Sequence, residues 1–107
     1  MNASVTQYKW SNGQIRSQYT RLDGTLHGMC QTWYYDGSIQ SQGFYHNHKL
    51  HGELKSWDLH GNLSSHELYC NGSRVVDFLK NPALYPKTEE ERTAFTLKYS
   101  APLHLNQ

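Results

Sequence analysis

The sequence predicts a mainly β fold: an elongated single-layer antiparallel meander of stacked hairpins, built on 24-residue repeats and finished by a short C-terminal helical cap. Three observations predict it. Gly13, Gly37 and Gly61 recur at an interval of 24 residues, inside the phrases Asn12-Gly13-Gln14-Ile15, Asp36-Gly37-Ser38-Ile39 and His60-Gly61-Asn62-Leu63, each followed two residues on by Ser17, Ser41 or Ser65. A second phrase keeps the same spacing, Leu26-His27-Gly28 against Leu50-His51-Gly52, with Trp33 against Trp57. Self-similarity at so short a period marks a repeat architecture whose units bury surface only against their neighbours. Finally, each unit carries two turn signals, one of the Asp36-Gly37 type and one at Asp23-Gly24, Asn47-His48 or Asn71-Gly72. Two such turns per unit mean two strands per unit.

Taken in order, strands are expected near 6–10, 14–21, 28–35, 38–45, 52–58, 62–70 and 73–78. Within them side chains alternate, so Ile39, Ser41, Gly43 and Tyr45 share one face, and Gln40, Gln42, Phe44 and His46 the other. Residues one repeat apart lie two strands apart, which stacks Ile15, Ile39 and Leu63 in one column, Trp33 with Trp57 in a second and Tyr45 with Tyr69 in a third. The third unit decays, with Arg74-Val75-Val76 where the others read Leu-His-Gly. The next segment, Phe78 to Pro86, holds Pro82 and Pro86 and cannot continue a sheet. Thr88-Glu89-Glu90-Glu91 then opens a helix, expected over 89–98, with a Thr-x-x-Glu capping box and three carboxylates at the positive end of its dipole. Ala94, Phe95, Leu97 and Tyr99 are the apolar residues available to dock it, and Ser100 to Gln107 is expected to trail along the surface. The 107 residues therefore read as one domain: a repeat sheet over 8–77, and a cap and tail over 78–107.

Composition narrows the function. Hydrophobic residues make up 36% of the chain and aromatics 13%, with eight tyrosines and three tryptophans, so amphipathic rings must supply much of the burial. A formal charge of +1 leaves no electrostatic footprint for nucleic acid and disfavours an anionic membrane. No apolar stretch spans a bilayer and the N-terminus lacks the basic start and apolar segment of a signal peptide, so an intracellular, cytoplasmic location is expected. Cys30 and Cys70 fall three strands apart, roughly 14 Å, about twice what a disulfide tolerates, and two free thiols are expected.

The phrase Asp36-Gly37-Ser38-Ile39, then Phe44-Tyr45, Lys49-Leu50-His51-Gly52 and Trp57, resembles the MORN repeat in its shorter variant class, over roughly residues 8 to 76. The resemblance implies an aromatic-glycine hairpin stacked into a twisted, grooved sheet. It also implies interaction rather than catalysis: scaffolding, membrane apposition and self-association among ordinary MORN proteins, and antitoxin-like or virus-encoded proteins among the variants. The chain departs from the pattern at His48, where the first unit has Gly24, and at Val76.

Chemistry-bearing residues give little support to an enzyme. His27 and His51 stand about 10 Å apart in this scheme, too far to share an ion at Zn–N distances near 2 Å. His46 and His48 flank a turn without a cysteine or carboxylate at a recognised spacing. Neither cysteine sits at a helix N-terminus or in a basic cluster that would lower its pKa. Glu89, Glu90 and Glu91 point in different directions, and no glycine opens a helix as a phosphate cradle does. No catalytic residue, cofactor or metal site is therefore assigned, and a hydrolase or transferase working through the histidines is the least favoured reading. One ten-residue helix cannot cover both faces of a sheet, and exposed aromatic rows mark interaction surfaces. The expected partner-binding residues are Trp33, Tyr35, Phe44, Tyr45, Trp57 and Tyr69, on a module that binds a protein partner, or itself through an edge strand. A virus-encoded or antitoxin-like inhibitor and a membrane-surface attachment module are the alternatives the resemblance leaves open.

Overall fold

The computed structural model describes residues 2–99; the trailing segment expected over 100–107 lies outside the described residues. Eight strands form one antiparallel sheet: β1 (Ala3–Lys9), β2 (Ile15–Leu22), β3 (Thr25–Trp33), β4 (Ile39–His46), β5 (Lys49–Leu50), β6 (Gly52–Trp57), β7 (Leu63–Cys70) and β8 (Ser73–Asp77). Their order is β1-β2-β3-β4-β6-β7-β8, with β5 paired to β4, so the sheet is an open meander. The sheet and its cap form a slab of 42 × 39 × 24 Å.

Two families of turns alternate along the chain. At one end, Trp10–Gln14, Tyr34–Ser38 and Asp58–Asn62 repeat one pattern. The glycine N–H donates to the carbonyl of the first residue, whose own N–H donates to the carbonyl of the last: Gly37 to Tyr34 at 2.9 Å, and Tyr34 to Ser38 at 2.8 Å. Gly37 sits at φ 91°, in the left-handed region that glycine enters without penalty. The side chains of Asn12 and Asp36 accept the N–H two residues on. In the third turn His60 replaces them, and Asp58 takes over the role by accepting from His60 and Asn62. At the other end, Asp23-Gly24, Asn47-His48 and Asn71-Gly72 all have positive φ at both residues, the two-residue hairpin geometry that matches strand twist. His48 tolerates a φ of 69° there, and its Nδ1 accepts the Leu26 N–H at 3.3 Å.

The expected strand 52–58 forms as β6, and a short strand outside the expected set, β5, precedes it. Gly52, at φ 109°, separates β5 from β6 at His51, and Gly28, at φ 101°, marks the same place in β3, where the ladder steps from Tyr19↔Cys30 to Arg21↔Leu26. These glycines relay the chain from one hairpin to the next, which is why the Leu-His-Gly phrase repeats. β1 also begins at Ala3 rather than near residue 6, because Asn2 exchanges hydrogen bonds with Asp23 and carries the pairing to the turn.

Directly opposed residues share a face. One face carries Gln18, Gln31, Gln42, Lys55 and His66 in a row, with Phe44 and Leu68 beside it; the other carries Ser17, Thr32, Ser41, Ser56 and Ser65 in a row. The cap covers only the first face, at its β6–β8 end. There the Phe78 N–H donates to the His66 carbonyl at 2.8 Å, and the Phe78 ring lies 4.9 Å from His66, 5.0 Å from Tyr85 and 6.2 Å from Phe95. Beneath them His66 Nε2 meets Glu53 Oε1 at 2.7 Å, and burial, followed by the Glu53 charge, pushes the Tyr85 phenol up. Leu68, His66 and Phe78 are buried here.

A 3₁₀ turn (Pro82–Leu84) leads to helix α1 (Glu89–Tyr99), whose capping box forms as expected: Glu91 N–H donates to Thr88 Oγ1 at 3.0 Å and Thr88 N–H to Glu91 Oε1 at 3.1 Å. The helix docks more sparingly than its composition suggests. Phe95 alone is half-buried among its described side chains; Ala94 is exposed and Leu97 is 81% exposed.

Candidate partner-binding groove

The uncapped face is built by the repeat. Tyr8, Ser17, Thr32, Ser41, Ser56 and Ser65 oppose one another in turn across β1, β2, β3, β4, β6 and β7, so the 24-residue serine spacing becomes one row of hydroxyls along the sheet. Thr32 and Ser41 are hydrogen-bonded within it. Beside this row runs a second, Tyr19↔Cys30↔Gly43, continued by Leu54. Gly43 leaves room for that packing: a Cβ there would lie 2.8 Å from Leu54 Cδ1 and 3.6 Å from Leu50 Cδ2, and the Leu54 methyl would have to shift.

Two clefts open on this face and share Tyr19 and Thr32. One, of about 410 Å³, is walled by Tyr8, Trp10, Arg16, Ser17 and Gln40; the other, about 180 Å³, runs over Cys30, Ser41, Gly43, Tyr45, Leu50 and Leu54. The Arg16 guanidinium lies 5.5 Å over the Trp10 ring, a cation held on the rim. Tyr8 packs edge-on against Tyr19 at 6.3 Å. Burial pushes the Tyr45 phenol up, with Cys30 and Tyr19 adding to it, and burial likewise raises the Cys30 thiol against the lowering effects of the Thr20 hydrogen bond and of Arg21. Both groups are therefore neutral at physiological pH; the charges nearest them are Arg21, 5.8 Å over the Tyr19 ring, and Glu67, opposite Leu54. The described cysteines are free thiols.

The six expected binding residues do not share one surface. Tyr45 and Tyr69 lie on the groove face, while Phe44, opposite Met29, lies on the capped face. Trp33 and Trp57 stand at strand ends beyond a register shift, and their carbonyls accept Trp10 Nε1–H at 3.1 Å and the Tyr34 hydroxyl at 2.7 Å, so they serve as joints between hairpins. Tyr35 is exposed on its turn, 5.8 Å from the Trp10 ring. The cleft lining also includes Tyr8, Trp10 and Tyr19, which lie outside the six expected residues. The 24-residue equivalents of Tyr19 are Gly43 and Glu67, so periodicity conceals it; counting parity from Ser17 would have placed it on the groove face.

His46 inserts between the repeat-equivalent pair, its ring 5.0 Å from His27 and 5.8 Å from His51. His51 Nδ1 accepts the Asn71 N–H at 3.2 Å, a structural duty at a turn. No group of three His, Cys, Asp or Glu side chains among the described residues has the geometry to hold a metal ion.

An open sheet of identical hairpin joints, with one face capped and the other grooved, defines a repeat module of the kind that presents a surface. The MORN repeat variant family model matches residues 26–47 and 50–71, the units spanning β3 to β4 and β5 to β7, so the chain carries two MORN variant repeats. No curated protein and no solved structure matches it. MORN repeats are non-catalytic modules generally linked to protein and membrane interactions. Among the described residues no helix is long and apolar enough to cross a membrane.

Proposed function

We propose that this chain is a protein-binding module whose groove face receives a segment of a partner protein. The observation that carries this reading is the continuous hydroxyl and tyrosine-lined groove on the face opposite the cap. Apolar walls at Tyr19, Leu50 and Leu54 would bury a partner's side chains, and the hydroxyl row offers donors and acceptors at strand spacing, about 4.8 Å apart. Arg16 over Trp10 and Arg21 over Tyr19 are balanced on the same face by Glu67, and so mixed and sparse a charge suits a polypeptide better than a phosphate backbone or an anionic lipid surface.

The test is affinity capture with quantitative mass spectrometry, comparing wild type with Tyr19→Ser/Tyr45→Ser and with Phe44→Ser on the opposite face, each variant first shown to be folded. The groove variant should lose a partner that the Phe44 variant retains. Equal retention by both variants would refute the groove as the binding surface.

A further inference from the structure

The two ends of the sheet are not alike. Residues 2–9 occupy the repeat positions of 26–33 and 50–57, where β3 and β6 are interior strands with neighbours on both sides; among the described residues β1 pairs with β2 alone. β1 is thus an interior-type strand at an edge. Asn2 exchanges backbone and side-chain bonds with Asp23, so the peptide groups of Asn2, Ser4, Thr6 and Tyr8 turn towards β2. Those of Ala3, Val5 and Gln7 turn outward along that edge.

Natural sheets blunt such edges with short strands, proline, bulges or inward charges. β1 has seven residues, no proline and no acidic residue; its one charge, Lys9, and its one register shift, between Tyr8 and Lys9, both stand at its end. β8 is the contrast. It has five residues and carries Arg74 and Asp77, 3.9 Å apart, with Arg74 also 3.0 Å from Glu67. Its last carbonyl, that of Asp77, is taken by the Asn81 N–H at 2.9 Å and by Asn81 Nδ2 at 3.2 Å. A β1-to-β8 contact between copies would be heterologous, building rings or open fibres, and the β8 edge is unsuited to it. A β1-to-β1 contact is isologous and closes on itself.

We infer that β1 pairs antiparallel with β1 of a second copy of this chain, making a two-fold dimer with one continuous sheet. Full overlap of Ala3–Lys9 centres the axis on Thr6. Val5 then faces Gln7 of the second copy, and Lys9 faces Ala3 rather than another lysine. The pairing preserves the antiparallel alternation of the meander, carries both groove rows across the axis and leaves the capped ends outermost. It stands on different residues from the groove proposal, so Tyr19→Ser/Tyr45→Ser should dimerise as wild type does.

The test is mass by light scattering across a concentration series. Wild type should give twice the chain mass. Val5→Pro removes only an outward N–H and should give a folded monomer, because proline is tolerated where an edge strand's N–H faces solvent. A wild type that is monomeric throughout overturns the inference, as does a folded Val5→Pro that stays dimeric. Should Val5→Pro fail to fold, Thr6→Cys decides. At the axis two such residues form a non-hydrogen-bonded pair with Cα atoms about 4.5 Å apart, within disulfide reach. Oxidation should then join the two substituted positions in a disulfide mapped by peptide mass spectrometry, and absence of that crosslink overturns the pairing.

Discussion

Truncating Phe78 to alanine tests whether the cap is part of the folding unit or an ornament on it. The ring is 3% exposed and packs within about 5 Å of both His66 and Tyr85, with Phe95 at 6.2 Å. Removing a buried phenylalanine ring costs about 3–5 kcal/mol when the cavity cannot collapse. Collapse is hindered here because one wall is the sheet itself, at His66 and Leu68. Against a total stability on the order of 5–15 kcal/mol, that is a large share. At roughly 4–8 °C per kcal/mol for a domain of about this size, the melting temperature should fall by at least about 12 °C. The assay is thermal unfolding followed by circular dichroism and tryptophan fluorescence, with Leu97→Ala as reference. Leu97 is 81% exposed and should move stability by less than about 0.5 kcal/mol. A Phe78→Ala melt within a few degrees of the Leu97→Ala melt would show that the cap contributes nothing to the sheet's stability and refute the reasoning.

Other expectations rest on the turns, the helix and the histidine row. Gly37→Val forces a β-branched residue to φ 91°, with its Cβ 3.4 Å from Gln14 Oε1, and should cost more than about 1 kcal/mol; a melting temperature within a degree of wild type contradicts the hairpin assignment. Thr88→Ala removes the acceptor for the Glu91 N–H and should cost the helix about 1 kcal/mol, read as lost ellipticity at 222 nm before global melting; unchanged helix content counts against the cap. His46 is held below its ordinary value of 6.5, first by burial and then by His27 and His51. Its folded pKa is depressed, so the unfolded chain binds the extra proton first; the contribution is present above pH 6.5 and is lost as pH falls through the folded value. His46→Gln should flatten the stability–pH profile just below 6.5, and an identical slope in wild type and variant would exclude His46 as its source. Deleting residues 78–107 strips the cover from Leu68 and His66 and should produce aggregation; a soluble truncation with the same oligomeric state as the full chain would show that the sheet needs no cap.

Short-range chemistry was legible in the sequence by itself. Asp36-Gly37 and Asn71-Gly72 announce positive φ, the 24-residue period counts the hairpins, and Thr88 with Glu91 marks the helix start, because each depends on backbone conformation within a few residues. The alternation placing Tyr45 opposite in sense to Phe44 was legible for the same reason. Three matters depended on contacts distant in sequence. Which face the cap covers is decided by Phe78 reaching His66, a choice that the two faces of a bare sheet leave degenerate. Trp33 and Trp57 stand in the sequence as repeat-equivalent aromatics, and only the register shows that their carbonyls accept from Trp10 and Tyr34 of the preceding hairpins. The packing of Leu54 and Leu50 against Gly43, two strands from Tyr19, is a contact that no local pattern announces. The sequence determined the repeat, its turns and its capping helix because local backbone preferences encode them; tertiary structure alone decided which side chains meet, because the bulges at Gly28 and Gly52 and the docking of one phenylalanine set the register and the open face.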